Sequence, residues 1–167
     1  MNSKPTPQFS DRVSGCNAAA AALKGEGAKL RQCSADDIDP SKLTPTQVKY
    51  ARHVIGEINR TTNAKTQLEA GDYEGFGKAM NESHRSLRDD FSVSCAELDQ
   101  LVDLVGACKG VYGTRMTGGG FGGCTVTLLK KDSVEDVINA VEAGYDGKAT
   151  FFVANASEGA RQIFPID

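Results

Sequence analysis

A chain of 167 residues with 40% hydrophobic and 25% charged residues is of single-domain size, should bury roughly 70% of its unfolded surface, and is too apolar for wholesale disorder. Its net charge of −3 at pH 7 excludes the basic face that a large nucleic-acid footprint requires, so no nucleic-acid partner is expected. No run approaches the roughly 18 apolar residues that cross a bilayer and residues 1–7 carry no signal-type apolar stretch, so a cytoplasmic chain with no membrane partner is expected.

Residues 1–8 hold two prolines and no periodicity and read as a loose segment ahead of one domain over 9–167. Ser10 is placed to cap a first helix with the apolar stripe Val13, Cys16, Ala20 and Leu23, ending near Gly25 and Gly27. Residues 26–43 read as loop with a helical turn at Leu30. Thr44, Pro45 and Gln47 form a capping box with proline at the first helical position. A long helix should follow, burying Val48, Ala51, Ile55, Ile58 and Thr62 and stopping at Gly71. Asp72 should cap the next helix, with Phe76, Met80, Ser83 and Leu87 inward, although Gly75 and Gly77 weaken it.

Ser94 and Glu97 suggest a second capping box, opening a helix that buries Leu98, Leu101, Val102 and Val105 and ends near Gly110. Strand character follows at 111–116 and 124–129, rich in β-branched residues and separated by glycines. Ser133 and Asp136 open a further helix through Val134, Val137, Ile138 and Val141. Residues 149–154 alternate as a last strand, and the tail should be partly ordered through Ile163 and Phe164. Helices set apart from a small, mostly antiparallel sheet make an α+β domain. Five scattered cysteines without a Cys-x-x-Cys pair indicate neither a disulfide framework nor a zinc site.

Gly118, Gly119, Gly120, Gly122 and Gly123 lack a Cβ, so the backbone there can take positive φ and approach a ligand closely. Consecutive main-chain N–H groups in such a turn can converge on phosphate. Gly118, Gly120 and Gly123 fit Gly-x-Gly-x-x-Gly, but a dinucleotide fingerprint opens a helix and here a strand follows. A Walker-type loop also fails, because the first lysine after the glycines, Lys130, lies beyond that strand. The bland alternative is a glycine hairpin with no ligand.

Arg115-Met116-Thr117-Gly118-Gly119-Gly120-Phe121-Gly122-Gly123-Cys124 resembles the third motif of the GHMP small-molecule kinases, in the version carried by galactokinases. The run from Ser83-His84-Arg85-Ser86-Leu87-Arg88 through Asp89 and Asp90 to Asp99 is similar to the segment preceding that loop, and the likeness runs from near Phe9 to Phe152. The resemblance implies a ferredoxin-like GHMP kinase C-terminal domain. It implies ATP and Mg2+ in the complete enzyme, galactose as substrate, and phosphate contacts from Thr117, Gly118, Gly119, Gly120, Phe121, Gly122 and Gly123. The sugar-binding motif, the main ATP loop and the catalytic Asp and Arg of that family have no match here, so catalytic residues and the ATP and galactose pockets are expected in an N-terminal half.

Arg115 could add charge at the loop, and Asp89 and Asp90 could bind magnesium, though after Arg88 they equally suit a salt bridge. His84 and His53 read better as structural groups than as bases, and two histidines make no metal cluster. Two readings stand: part of a galactokinase, inactive alone, or a galactokinase-like regulatory or interaction module. Self-association through surface bared by truncation would accompany either.

Overall fold

The computed structural model describes residues 7–157 and 159. Most of the expected loose segment, and the tail through Ile163 and Phe164, lie outside the described residues. Five α-helices are described, α1 (Pro7–Lys24), α2 (Pro45–Glu69), α3 (Tyr73–Asp89), α4 (Ala96–Gly106) and α5 (Val134–Gly144). With them are two strands, β1 (Val111–Thr117) and β2 (Cys124–Leu129), paired antiparallel. Helices packed on a small antiparallel sheet are the α+β arrangement expected from the element order.

The first helix begins at Pro7 rather than after Ser10, since a proline at a helix start forfeits only an N–H that would have no partner. Its inward face is Ala19 and Ala20, packed with Leu30, Leu43, Ala51 and Ile55. Small side chains on α1 let it lie close to α2. Val13, expected inward, is 46% exposed. Residues 26–43 carry two short 3-10 turns, Leu30–Gln32 and Ala35–Asp37.

Thr44 accepts from the Gln47 N–H (3.2 Å) while the Gln47 side chain accepts from the Thr44 N–H (2.8 Å), so the box that starts α2 is complete. The buried stripe stops at Ile55: Ile58 is 40% exposed and Thr62 is exposed, because the distal part of this 25-residue helix runs past the core. Gly71 turns the chain at φ +71°, and Asp72 caps α3 by accepting from the Gly75 N–H at 2.8 Å. Gly77, expected to weaken α3, is where that helix meets β1. A Cβ there would collide with the carbonyl of Tyr112.

The α4 cap is Cys95, one residue later than the Ser94 box predicts, because the Ser94 hydroxyl is taken by Asp99. Val93, Leu98 and Met116 form a core between α3, α4 and β1, and Val105, Val137 and Val141 form another between α4 and α5. The last strand is a correction: residues 149–154 pair with no strand, and the described sheet has two strands. The alternation holds only in part, since Ala149 and Phe151 pack on the α4–α5 core and Phe152 is 87% exposed, but Val153 is 70% exposed as well. A strand also requires a ladder partner, which alternation does not supply.

Candidate functional site

The loop begins where Thr117 pairs with Cys124 at the end of the β1–β2 ladder. Five of its six residues have left-handed φ: Gly118 (+79°), Gly120 (+82°), Phe121 (+61°), Gly122 (+129°) and Gly123 (+103°). L side chains rarely adopt such a run, which is why glycine fills four of these positions.

The loop is seated at one point. The Phe121 N–H donates to the Val93 carbonyl at 2.7 Å, and a Cβ on Gly120 would strike that carbonyl and the Met116 methyl. Elsewhere it is open. A Cβ on Gly118, Gly119, Gly122 or Gly123 would have nothing within 4 Å. Thr117 is exposed at the rim, and Cys124 on the other side is exposed as well. Left-handed backbone of this kind lets successive N–H groups face a common anion, with no side chain in the way.

Arg115 lies in a different network. Its Nη1 donates to the Ser83 hydroxyl at 2.8 Å and stands 3.7 Å from Glu57, and its Nε donates to the Met116 carbonyl at 3.0 Å. Burial works to raise the Glu57 carboxyl. The hydrogen bonds from Ser83 and Arg60 and the Arg60 charge outweigh it and hold the group below its ordinary value.

Asp89 is the last residue of α3 and Asp90 its C-cap. Asp89 pairs with Arg88 at 2.8 Å, and Asp90 with Arg52 at 3.4 Å and with the Ser86 hydroxyl. Among the described residues no group of three or more His, Cys, Asp or Glu could hold a metal. No described helix is long and apolar enough to cross a membrane.

Both histidines are buried. His84, 2% exposed, accepts the Met116 N–H on Nδ1 at 3.3 Å, which leaves the proton on Nε2. That Nε2 lies 3.2 Å from Asp99 but off the line of a good hydrogen bond. Burial pushes its pKa down, and the Asp99 charge only partly opposes this. His53 bonds the Ser86 hydroxyl at 2.9 Å, stacks on Phe91 at 4.3 Å between ring centres, and is likewise lowered by burial. His84 thus braces β1 one residue before Thr117; the sequence reads it as a structural group but does not give its partner. The signal for its burial was its spacing of four from Met80 on the inward face of α3.

Sequence reasoning also missed Arg12, whose guanidinium lies 5.5 Å from the centre of the Phe121 ring and donates to the carbonyls of Phe91 (3.2 Å) and Ser92 (2.8 Å). No local pattern marks it, since its partners lie about eighty residues on.

Comparison with known proteins identifies the family. A galactokinase of Homo sapiens is 47% identical over 150 residues, covering 89% of this chain and 38% of the relative. One of Clostridium acetobutylicum is 39% identical over 165 residues, covering 93% and 42%. The chain thus spans about two-fifths of the length of the curated relatives it matches. The crystal structure of Lactococcus lactis galactokinase complexed with galactose superposes with a TM-score of 0.80 at 32% identity, over 87% of this chain and 39% of that one. The family model for the C-terminal region of GHMP kinases matches residues 64–147, half of the chain and the whole of β1, the glycine loop and β2. With that match spanning the loop and both strands that carry it, the chain belongs to the GHMP kinases, as their C-terminal domain.

Proposed function

We propose that this chain is the C-terminal part of a cytoplasmic galactokinase, which moves the γ-phosphoryl group of ATP to galactose and yields galactose 1-phosphate. The observation that supports it best is the run of left-handed residues from Gly118 to Gly123, seated at Val93 and otherwise bare, in a chain 47% identical to a galactokinase. Phosphoryl transfer is mainly positioning and charge stabilisation. Main-chain N–H groups of Gly118, Gly119, Gly120, Gly122 and Gly123, with the Thr117 hydroxyl, hold phosphate oxygens by donating to them. They carry no reorganisation penalty if they are already aligned. The bound nucleotide brings Mg2+, which neutralises phosphate charge when present; its protein ligands, the galactose pocket and the proton acceptor belong to the rest of the enzyme.

The experiment is complementation. The chain is assayed for galactose-dependent ADP release alone and after mixing with a separately expressed N-terminal half of a galactokinase. Alone it should be inert, and the mixture should turn over. A mixture that binds but stays inert favours the second reading, a non-catalytic regulatory or interaction module. One observation speaks for that reading: Asp89 and Asp90 are both engaged by arginines.

A further inference from the structure

Phe121 is the odd member of the loop. A non-glycine residue at φ +61° is strained, and such strain persists only where the surroundings over-determine it. Burial does not account for it, because the side chain is 41% exposed. Two contacts do. Its N–H is held by the Val93 carbonyl, and its ring faces the Arg12 guanidinium. Arg12 is itself held through Nε and Nη2, which donate to the carbonyls of Phe91 and Ser92, and lies 6.0 Å from the centre of the Tyr50 ring. Among the described residues the other left-handed non-glycine is Ser92, at φ +53°, directly before Val93. Both strained residues therefore belong to one junction, where α1, α2 and the connector at 91–93 meet the loop.

We infer that Arg12 and Phe121 form a latch that seats the glycine loop on the 91–93 connector, so that Arg12 is a positioning residue for the phosphate donors without touching phosphate. The inference rests on reading the loop as a phosphate site. Glycine-rich backbone loses more conformational freedom on ordering than any other, so a free loop would bind an anion weakly unless ordered in advance. A guanidinium suits the task because it can donate to two carbonyls while lying beside an aromatic ring, whereas an ammonium offers charge without the planar fork.

The test uses the 167-residue chain labelled with 15N. Amide exchange and backbone relaxation are read residue by residue, and the loop amides are followed during titration with sodium tripolyphosphate. In Arg12→Met the Phe121 N–H should exchange about ten-fold faster relative to the core amides of Leu98 and Val141, the glycine amides should become more mobile, and Arg12→Lys should fall between. Phe121→Leu should weaken tripolyphosphate binding about two- to five-fold, the worth of an exposed cation–π contact. Combining it with Arg12→Met should cost less than the product of the two single effects. An unchanged ratio of loop to core exchange in Arg12→Met, or strictly multiplicative effects on binding, overturns the latch. If tripolyphosphate does not move the wild-type loop amides, the phosphate reading falls, and exchange in the ligand-free chain still decides the latch.

Discussion

Gly77 of α3 and Gly113 of β1 occupy one contact from opposite sides. A Cβ on Gly113 would fall on the Gly77 carbonyl, and a Cβ on Gly77 would fall on the carbonyl of neighbouring Tyr112. Helix and strand therefore approach at backbone distance, and the β1 register shifts between Val111 and Gly113. The Asn81 side chain of α3 accepts the Thr114 N–H at 2.9 Å just beyond. This contact sets where β1, and hence the loop at its end, sits relative to α3.

Gly77→Ala is the sharpest stability test. In an exposed helix the change would stabilise by about 0.5–1 kcal/mol. Here the methyl meets rigid backbone, so a loss of about 1–3 kcal/mol is expected in urea unfolding. A gain would show that α3 and β1 do not pack this closely.

Substitutions in the loop should separate by position. Gly120→Val places a branched side chain at φ +82° and against the Val93 carbonyl, so in a complete enzyme nucleotide KM should rise or turnover fall by about ten-fold or more. Gly119→Ala, at a position with open space and no left-handed φ, should be much milder. Equal effects at the two positions would mean that seating on Val93 is unimportant.

The pH dependence follows from the histidines. Both have folded pKa values below the ordinary 6.5, so as pH falls the unfolded chain takes up protons first. Their contribution is complete above pH 6.5 and is lost as pH drops from there through the folded values. The urea midpoint should therefore fall between pH 7.5 and 5.5, and a variant with both His53→Asn and His84→Asn should flatten that slope. Asp37, held at about 2 by Lys24 and Ser34, acts only in the separate window between about 3.8 and 2. A wild-type midpoint that rises on acidification to pH 5.5 would contradict neutral, buried imidazoles.

Glu57 joins α2 to α3 and β1 by accepting from Ser83 at 2.7 Å and from Arg60 at 2.7 Å, beside Arg115. Glu57→Gln removes the charge while keeping the shape. A loss of about 1–3 kcal/mol is expected, because half-buried guanidinium groups lose their counter-charge. A double-mutant cycle with Arg115→Met should show coupling. Independent effects would indicate that the 3.7 Å pair carries no energy.

Much of the secondary structure was legible because its causes are local. Thr44, Pro45 and Gln47 start α2 by satisfying helix-end donors within one turn, Gly71 and Asp72 divide α2 from α3, and β-branched runs flank the glycines. The loop's place between two strands could be read for the same reason. Which groups surround it depends on contacts between residues far apart in the chain: Arg115 with Ser83 and Glu57, His84 with Met116, Arg12 with Phe91 and Ser92. Residues 149–154 carry strand alternation yet form no strand, since a ladder needs a neighbour that sequence pattern alone does not provide. Local caps and turns are determined by neighbouring residues competing for the same backbone groups. The direction of Arg115, the burial of His84 and the seating of Phe121 are decided only when α1, α3, β1 and the 91–93 connector are brought together.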